Sequence, residues 1–218
     1  MNKMISLEDA VNKIQDGMTV MVGGFLGCGT PHRIIDKLVE KGTKNLTLIC
    51  NDTGFPEIGV GKMVVNKQLK KVIVSHIGTN PETGRQMHDE EIEVVLVPQG
   101  TLAEQIRAAG AGLGGVLTPT GLGTVVEQGK DLVEVDGVTY LLEKPLKADV
   151  ALIAGEIADT YGNIVYSGST RNFNNIMATA AEIVIVEAEQ VVEAGTLDPN
   201  HVVTPGIFVT HIVDGGAK

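Results

Sequence analysis

The sequence predicts an α/β fold built on an open, mostly parallel, twisted β-sheet with helices on both of its faces. Short runs rich in β-branched residues alternate with segments of helical length, the pattern of βαβ units. Most of these runs are continuously apolar, as in strands buried on both faces of a parallel sheet. An Asp-Gly dipeptide between two apolar runs adds a small antiparallel hairpin. We expect residues 1–218 to form a single domain, since no low-complexity linker interrupts them.

Six strands are predicted in chain order from the apolar runs. The first, at residues 19–22, leads into a glycine-rich segment. The other five are expected at residues 46–50, 72–75, 94–97, 150–153 and 183–186. The hairpin is expected from residues 132–135 and 138–142, which flank Asp136 and Gly137, because a two-residue Asp-Gly loop favours a tight hairpin turn.

Helices are predicted in the intervals between these strands. Thr30 and Pro31 have the residue types of an N-cap and a first helical position. The apolar residues that follow share one helical face: Ile34, Ile35, Leu38 and Val39. Further helices are expected at residues 101–107 and 174–181.

Composition excludes several classes of function. The chain has 17 Lys and Arg against 27 Asp and Glu, a net charge of -10, which argues against a nucleic-acid partner. Cys28 and Cys50 belong to no CxxC pattern, and HExxH is absent, so no metal site is predicted. No apolar run approaches the length of a membrane span, and the first ten residues lack a signal-peptide core. We expect a cytoplasmic protein with no membrane partner.

The expected binding site lies beyond the carboxyl ends of the parallel strands, where open α/β sheets bind ligands. Four loops follow strands there, at residues 23–29, 51–54, 76–80 and 98–101. All four consist mostly of small or polar residues. We expect them to share one crevice.

The loop at residues 23–29, called the glycine loop below, has four glycines in seven residues. A strand, a glycine loop and a helix start bring N–H groups and the positive end of a helix dipole together, which suits an anion. A dinucleotide fingerprint would need glycine where His32 stands, and a P-loop would need Lys-Ser/Thr in place of Thr30 and Pro31. The residues themselves leave two interpretations open, an anion-binding loop and a tight turn that only needs positive φ.

The glycine loop is also part of a longer pattern. The pattern requires Asp or Asn, then Gly, two free positions, three apolar residues, Gly-Gly-Phe, three free positions, Gly, one free position and Pro. Every specified position agrees, namely Asp16, Gly17, Val20, Met21, Val22, Gly23, Gly24, Phe25, Gly29 and Pro31. This run resembles the signature of the first (α, or A) subunit of family I coenzyme A-transferases.

The resemblance covers essentially the whole chain. Further segments that look like landmarks of this subunit lie at residues 97–102, Glu104, Arg107, 118–121, 123–124, 171–174, 186–189 and 204–206. Residues 77–85 and 112–115 are more similar to the acetate/acetoacetate/butyrate group than to the succinyl- and oxoadipate-directed members.

The resemblance implies a coenzyme A-transferase fold and covalent, ping-pong chemistry. In this family a glutamate carboxylate attacks an acyl-CoA thioester, forms an acyl-glutamyl anhydride and becomes a glutamyl-CoA thioester, from which a second acid takes the CoA. That glutamate stands in a Ser-Glu-Asn-Gly context in the β-type subunit, and this chain has no such tetrapeptide. The resemblance therefore implies that this chain has no catalytic nucleophile and needs a β subunit, as a heterotetramer of two α and two β subunits.

The resemblance also implies which residues bind CoA, which is a substrate rather than a cofactor; no cofactor or metal is expected. They are the glycine loop residues Gly23, Gly24, Phe25, Leu26, Gly27, Cys28 and Gly29. An N–H group of this loop could hold the oxyanion of acyl transfer, which we state as a hypothesis. Two rival functions remain, a sugar-phosphate enzyme on a related α/β fold and a non-catalytic acyl-CoA-binding subunit.

Other polar residues near the predicted loops are interpreted more conservatively. Cys28 is expected to be a small filler of a tight loop rather than a nucleophile, and His76 a hydrogen-bonded loop residue rather than a base. Gln99 could polarise an acyl carbonyl or cap the helix that follows. Arg171 and Asn172 are expected to open a helix, where they could touch substrate or form a structural network at the subunit interface.

Overall fold

The structure, a computed structural model, describes residues 2–216 and contains eleven β-strands there. They are β1 (Thr19–Val22), β2 (Leu46–Ile49), β3 (Leu69–Val74), β4 (Glu93–Leu96), β5 (Val116–Thr118), β6 (Leu132–Val135), β7 (Val138–Glu143), β8 (Ala148–Asp159), β9 (Ile164–Val165), β10 (Ala181–Val192) and β11 (His211–Asp214). The main sheet has the order β11-β10-β8-β1-β2-β3-β4, with every neighbouring pair parallel, and β9 pairs antiparallel with β8. The predicted mostly parallel sheet is therefore confirmed.

Six α-helices connect the strands within the same residues. They are α1 (Leu7–Asn12), α2 (His32–Lys41), α3 (Val60–Val65), α4 (Pro81–His88), α5 (Gln99–Gly110) and α6 (Asn174–Met177). Four 3₁₀ turns lie at Val125–Glu127, Gly168–Arg171, Pro199–His201 and Gly206–Phe208. None of the helices in residues 2–216 has the length and apolar character needed to cross a membrane.

Helices cover both faces of the main sheet, as predicted. Successive side chains of a strand point to opposite faces, and β1 shows this directly. Val20 and Val22 pack with α1, α2 and α3 in one apolar cluster, while Met21 packs with α5 and α6 in another. Both sets are buried, which explains why β1 is apolar at consecutive positions.

The Asp-Gly hairpin is also confirmed. Val135 pairs with Val138 across the turn, and Asp136 and Gly137 have φ values of 52° and 77°, as a two-residue turn with both central residues at positive φ requires. The structure adds β5 to the other side of β7, so that the insertion is a three-stranded antiparallel sheet of order β5-β7-β6. The sequence gives little sign of β5, because this short strand follows a glycine-rich stretch.

Several predicted boundaries are wrong. Strands β8 and β10 each have 12 residues and extend far beyond the predicted apolar runs, because their register continues past polar residues such as Glu187. The helix expected at residues 174–181 ends at Met177, and Ala181 already belongs to β10. Helices α1, α3 and α4 and strand β11 were not predicted, since each is short and carries only a few apolar positions.

Candidate functional site

The glycine loop joins β1 to α2 at the carboxyl edge of the main sheet, where the sequence placed it. Its tip is a two-residue turn in which Phe25 N–H donates to Cys28 O (3.0 Å) and Cys28 N–H donates to Phe25 O (2.9 Å). Leu26 and Gly27 form the turn with φ of 48° and 86°, so both central residues are left-handed. The side chain of Phe25 is exposed beside this turn.

The glycines at the base of the loop are required by neighbouring parts of the chain. A Cβ at Gly23 would lie 1.8 Å from Asn174 Oδ1, and one at Gly24 would lie 1.9 Å from Thr30 Oγ1. Gly24 also has a φ of +120°, which side chains rarely adopt. At these two positions glycine is therefore required because side chains of the same chain pack against the backbone, and a ligand is not needed to explain it.

The start of α2 differs from the prediction in a way that bears on the site. Pro31 rather than Thr30 is the N-cap, it forms no side-chain cap, and the helix begins at His32. The open N–H groups are instead capped from β10, where Glu187 accepts from Arg33 N–H (3.2 Å) and Ile34 N–H (2.8 Å). The anion at the N-terminus of α2 is therefore the Glu187 carboxylate rather than a bound ligand.

The Glu187 carboxyl lies mostly out of solvent. Burial raises its pKa above the ordinary value, while the N–H groups of Ile34 and Arg33 act in the opposite direction. Both carboxylate oxygens are used in the cap. This arrangement fixes the first turn of α2, and with it the end of the glycine loop, against β10.

Most N–H groups of the glycine loop donate within the chain. Besides the two in the turn, Gly23 N–H donates to Leu152 O (3.0 Å), Gly24 N–H to Asn172 Oδ1 (3.1 Å) and Leu26 N–H to Asp52 Oδ2 (3.0 Å). Within residues 2–216 the N–H groups of Gly27 and Gly29 form no hydrogen bond. These two glycines are therefore the donors of the loop that remain available to a ligand.

A cleft of about 360 Å³ opens beside the glycine loop and includes Gly27, Cys28 and Gly29 in its wall. Its other walls are the first turn of α2, residues 154–156 of β8, the turn Gly168–Arg171 with Ser167, residues of β10, and residues 215–216. The lining carries charges of both signs, from Arg33 and from the acidic side chains Glu156, Glu187 and Glu189. The sequence missed the β8 and β10 walls because both strands were predicted to end before these residues.

The other three loops do come together, but they are bonded to one another and do not form an open crevice. Gln99 Nε2 donates to Asn51 Oδ1 (2.7 Å), Thr79 Oγ1 to Gly54 O (2.7 Å) and Asn80 Nδ2 to Thr53 O (3.1 Å). The expected single crevice is therefore wrong. The open space lies on the side of the glycine loop that faces β8 and β10.

The structure also shows the contacts of the remaining candidate residues, Cys28, His76, Gln99, Arg171 and Asn172. Cys28 is exposed, its Sγ lies 3.7 Å from Ser169 Oγ, and within residues 2–216 this thiol forms no bond to a base. The ring of His76 forms no hydrogen bond within residues 2–216, so the expected hydrogen-bonded histidine is not found. Gln99 is the first residue of α5, which has no side-chain cap, so its capping role is wrong. Arg171 and Asn172 follow one another at the end of a 3₁₀ turn, not at the start of a helix.

Comparison with known proteins assigns the chain to a family. A family model described as "Coenzyme A transferase" matches residues 4–215. The chain belongs to the coenzyme A transferase family. Of its relatives, the acetate CoA-transferase subunit alpha of Escherichia coli K12 is 57% identical and covers 97% of this chain and 96% of its own length. The acetoacetyl-CoA:acetate/butyrate CoA transferase alpha subunit of Clostridium acetobutylicum is 54% identical, with 97% of each chain covered.

A solved structure of the family agrees with the architecture of this coenzyme A transferase chain. The acyl-CoA transferase YdiF of Escherichia coli O157:H7, in a thioester complex with CoA, superposes with a TM-score of 0.86 at 26% identity. The match covers 97% of this chain and 47% of that one, so this chain spans about half of that protein.

Proposed function

We propose that this chain is the α subunit of a short-chain acyl-CoA:carboxylate CoA-transferase of the acetate/acetoacetate/butyrate type. The observation that carries the proposal is end-to-end similarity, 57% and 54% identity, to two α subunits whose names state acetate, acetoacetyl-CoA and butyrate. Its partner is a β subunit, in a heterotetramer of two α and two β subunits. Residues 1–218 act as one domain, which the two apolar clusters on a shared sheet support.

The reaction moves CoA between two carboxylic acids through the β subunit. A glutamate carboxylate of that subunit attacks the acyl-CoA carbonyl, and the CoA thiolate leaves, so that a mixed anhydride forms. The thiolate then attacks the glutamyl carbonyl, which yields a glutamyl-CoA thioester and releases the first acid. The second acid takes the CoA by the same steps in reverse. No metal or redox cofactor takes part in these steps; CoA is the substrate.

The contribution of this chain is the CoA-facing loop, Gly23 to Gly29. The cleft beside it offers space for part of an acyl-CoA. The N–H groups of Gly27 and Gly29, which have no partner within residues 2–216, support a role in holding a developing oxyanion. One such donor is typically worth about 2.7–4 kcal/mol in acyl transfer. Gly24 is a poor candidate for this role because its N–H donates to Asn172.

Three glutamates of this chain are engaged in contacts that support a nucleophile on the partner. Glu82 pairs with Arg85, Glu104 pairs with Arg107, and Glu187 caps α2. Each of these carboxylates is held by a cation or by N–H groups, which lowers its reactivity as a nucleophile. The Ser-Glu-Asn-Gly context is absent from the sequence.

The structure also bears on the two rival functions. A sugar-phosphate enzyme would use the α2 N-terminus for the phosphate, and Glu187 already occupies those N–H groups. A non-catalytic acyl-CoA-binding subunit would bind CoA without a partner. The family similarity gives that function no support, since the two relatives are named as transferase subunits. We propose a cytoplasmic location, which the two free cysteines, Cys28 and Cys50, support.

The test is an acid-exchange assay on this chain co-expressed with a β-type chain that carries Ser-Glu-Asn-Gly. We expect CoA to move from acetoacetyl-CoA or butyryl-CoA to acetate in the assembled pair. Each chain alone is expected to be inactive. Exchange by this chain alone, or none by the assembled pair, would contradict the proposal.

A further inference from the structure

The side chain of Asn172 connects two points of the glycine loop. Its Oδ1 accepts from Gly24 N–H (3.1 Å), and its Nδ2 donates to Cys28 O (3.0 Å). The same amide also accepts from Phe173 N–H (2.6 Å) and donates to Ser169 O (3.1 Å). An asparagine amide has two donor hydrogens and two acceptor lone pairs, so its full capacity is used within the chain. A direct contact of this amide with substrate would require one of these bonds to break.

Asn174 holds the end of the glycine loop in a similar way. Its Nδ2 donates to Gly29 O (2.8 Å) and to Thr170 O (2.8 Å), and its Oδ1 accepts from Ala154 N–H (3.0 Å). The residue is fully buried. Because Ala154 belongs to β8, this amide connects the glycine loop to the opposite wall of the cleft.

Together the two amides hold three backbone groups of the glycine loop. They bind the carbonyl groups of Cys28 and Gly29 and the N–H group of Gly24, on both sides of Gly27. Gly27 lies between the bonded residues Gly24 and Cys28, and Gly29 follows Cys28; both glycines line the cleft. Within residues 2–216 their N–H groups form no hydrogen bond.

We propose that Asn172 is a positioning residue for CoA transfer, which holds the glycine loop so that the N–H groups of Gly27 and Gly29 remain unpaired at the cleft. The proposal rests on the proposed function, because the reaction positioned is the acyl transfer argued above. Asn172 acts through the loop and does not touch the reacting atoms. Asn174 supports the same arrangement from inside the core.

The test uses the assembled two-subunit complex with Asn172→Asp. This isosteric change keeps the two accepted bonds and removes the two donated ones, including the bond to Cys28 O. We expect kcat to fall about 10- to 100-fold, as small misplacements near reacting groups do, while the KM for acyl-CoA stays within about threefold. Since a protonated Asp can donate again, the ratio of variant to wild-type kcat should rise as the pH is lowered.

Asn66→Asp is the matched control, because Asn66 Nδ2 also donates to a backbone carbonyl, Lys62 O (2.8 Å), at the end of α3. It should leave kcat and the pH profile unchanged. Where Asn172→Asp fails to assemble, Asn172→Ser removes the same bridge without adding a charge and is expected to act in the same direction. An unchanged kcat in a well-assembled Asn172 variant would overturn the proposal, as would equal losses in the control.

A second readout separates this proposal from the proposed function. Hydrogen exchange of the peptide that contains the glycine loop, measured by mass spectrometry on the same complexes, does not depend on catalysis. We expect faster exchange in Asn172→Asp than in wild type and no change in Asn66→Asp. An inactive wild-type complex would contradict the proposed function, whereas unchanged exchange in Asn172→Asp would contradict the positioning role.

Discussion

Gly24 illustrates at the scale of a single residue how the chain itself restricts the glycine loop. Its φ is +120°, and an added Cβ would lie 1.9 Å from Thr30 Oγ1. We expect Gly24→Ala to lower the free energy of unfolding by about 1–3 kcal/mol. Gly84 is the matched control, because it lies in α4 with nothing within 4 Å of its Cβ position. Gly84→Ala should raise the free energy of unfolding by about 0.4–1 kcal/mol. Urea denaturation measures both, and effects of the same sign would contradict this account.

Glu187 gives a pH-dependent prediction at the same scale. Because burial raises its folded-state pKa, the native protein binds this proton more tightly than the unfolded chain does. Glu187 therefore contributes stability that increases as the pH falls toward its unfolded-state pKa and is lost as the pH rises through the folded-state value. We expect the free energy of unfolding of wild type, minus that of Glu187→Gln, to increase from about pH 7 to about pH 5. Urea denaturation at several pH values checks this, and a difference that shrinks toward low pH would contradict it.

The sequence could locate the glycine loop but not its contacts. The pattern from Asp16 to Pro31 identified the segment, because its residue types and spacing are specific. The side chains that hold it, Asn172, Asn174 and Glu187, lie 144 to 154 residues further along the chain. These side chains reach the glycine loop only because β8 and β10 pair in the folded sheet. Such long-range pairing cannot be predicted from a short stretch of sequence.

Helix α3 provides a prediction at the scale of one element. Val64 is fully buried between this helix and the sheet, whereas the neighbouring Val65 is 45% exposed. Val64→Ala should therefore lower the free energy of unfolding by about 1.5–3 kcal/mol. Val65→Ala removes the same two methyl groups from a side chain near solvent and should change it by at most about 0.5 kcal/mol. Urea denaturation compares the pair, and similar losses would show that the packing of α3 is wrongly described.

Elements differ in how far the sequence could predict them. The hairpin at Asp136 and Gly137 was predictable because the turn depends on these two residues alone. Strand β1 was predictable with its bounds, since both of its faces are buried. The extent of β8 and β10 was not, because their last residues pair through backbone bonds whatever their side chains.

At the scale of the whole molecule, the carboxyl ends of the parallel strands lie at one edge of the sheet, and the alternation of strands and helices in the sequence predicts this. The same alternation does not predict the position of the cleft. The three loops after β2, β3 and β4 are occupied by contacts with one another, so the open space lies between the glycine loop and the β8–β10 pair. The sequence comparison, rather than the cleft, supplies the class of reaction.

We propose that this chain supplies the glycine loop while the nucleophile belongs to the β subunit. The most direct test incubates the assembled pair with acyl-CoA, without a second acid, and measures the intact mass of each chain. We expect the β chain to gain the mass of a CoA thioester and this chain to keep its own mass. A CoA adduct on this chain, with the β chain unmodified, would contradict the account.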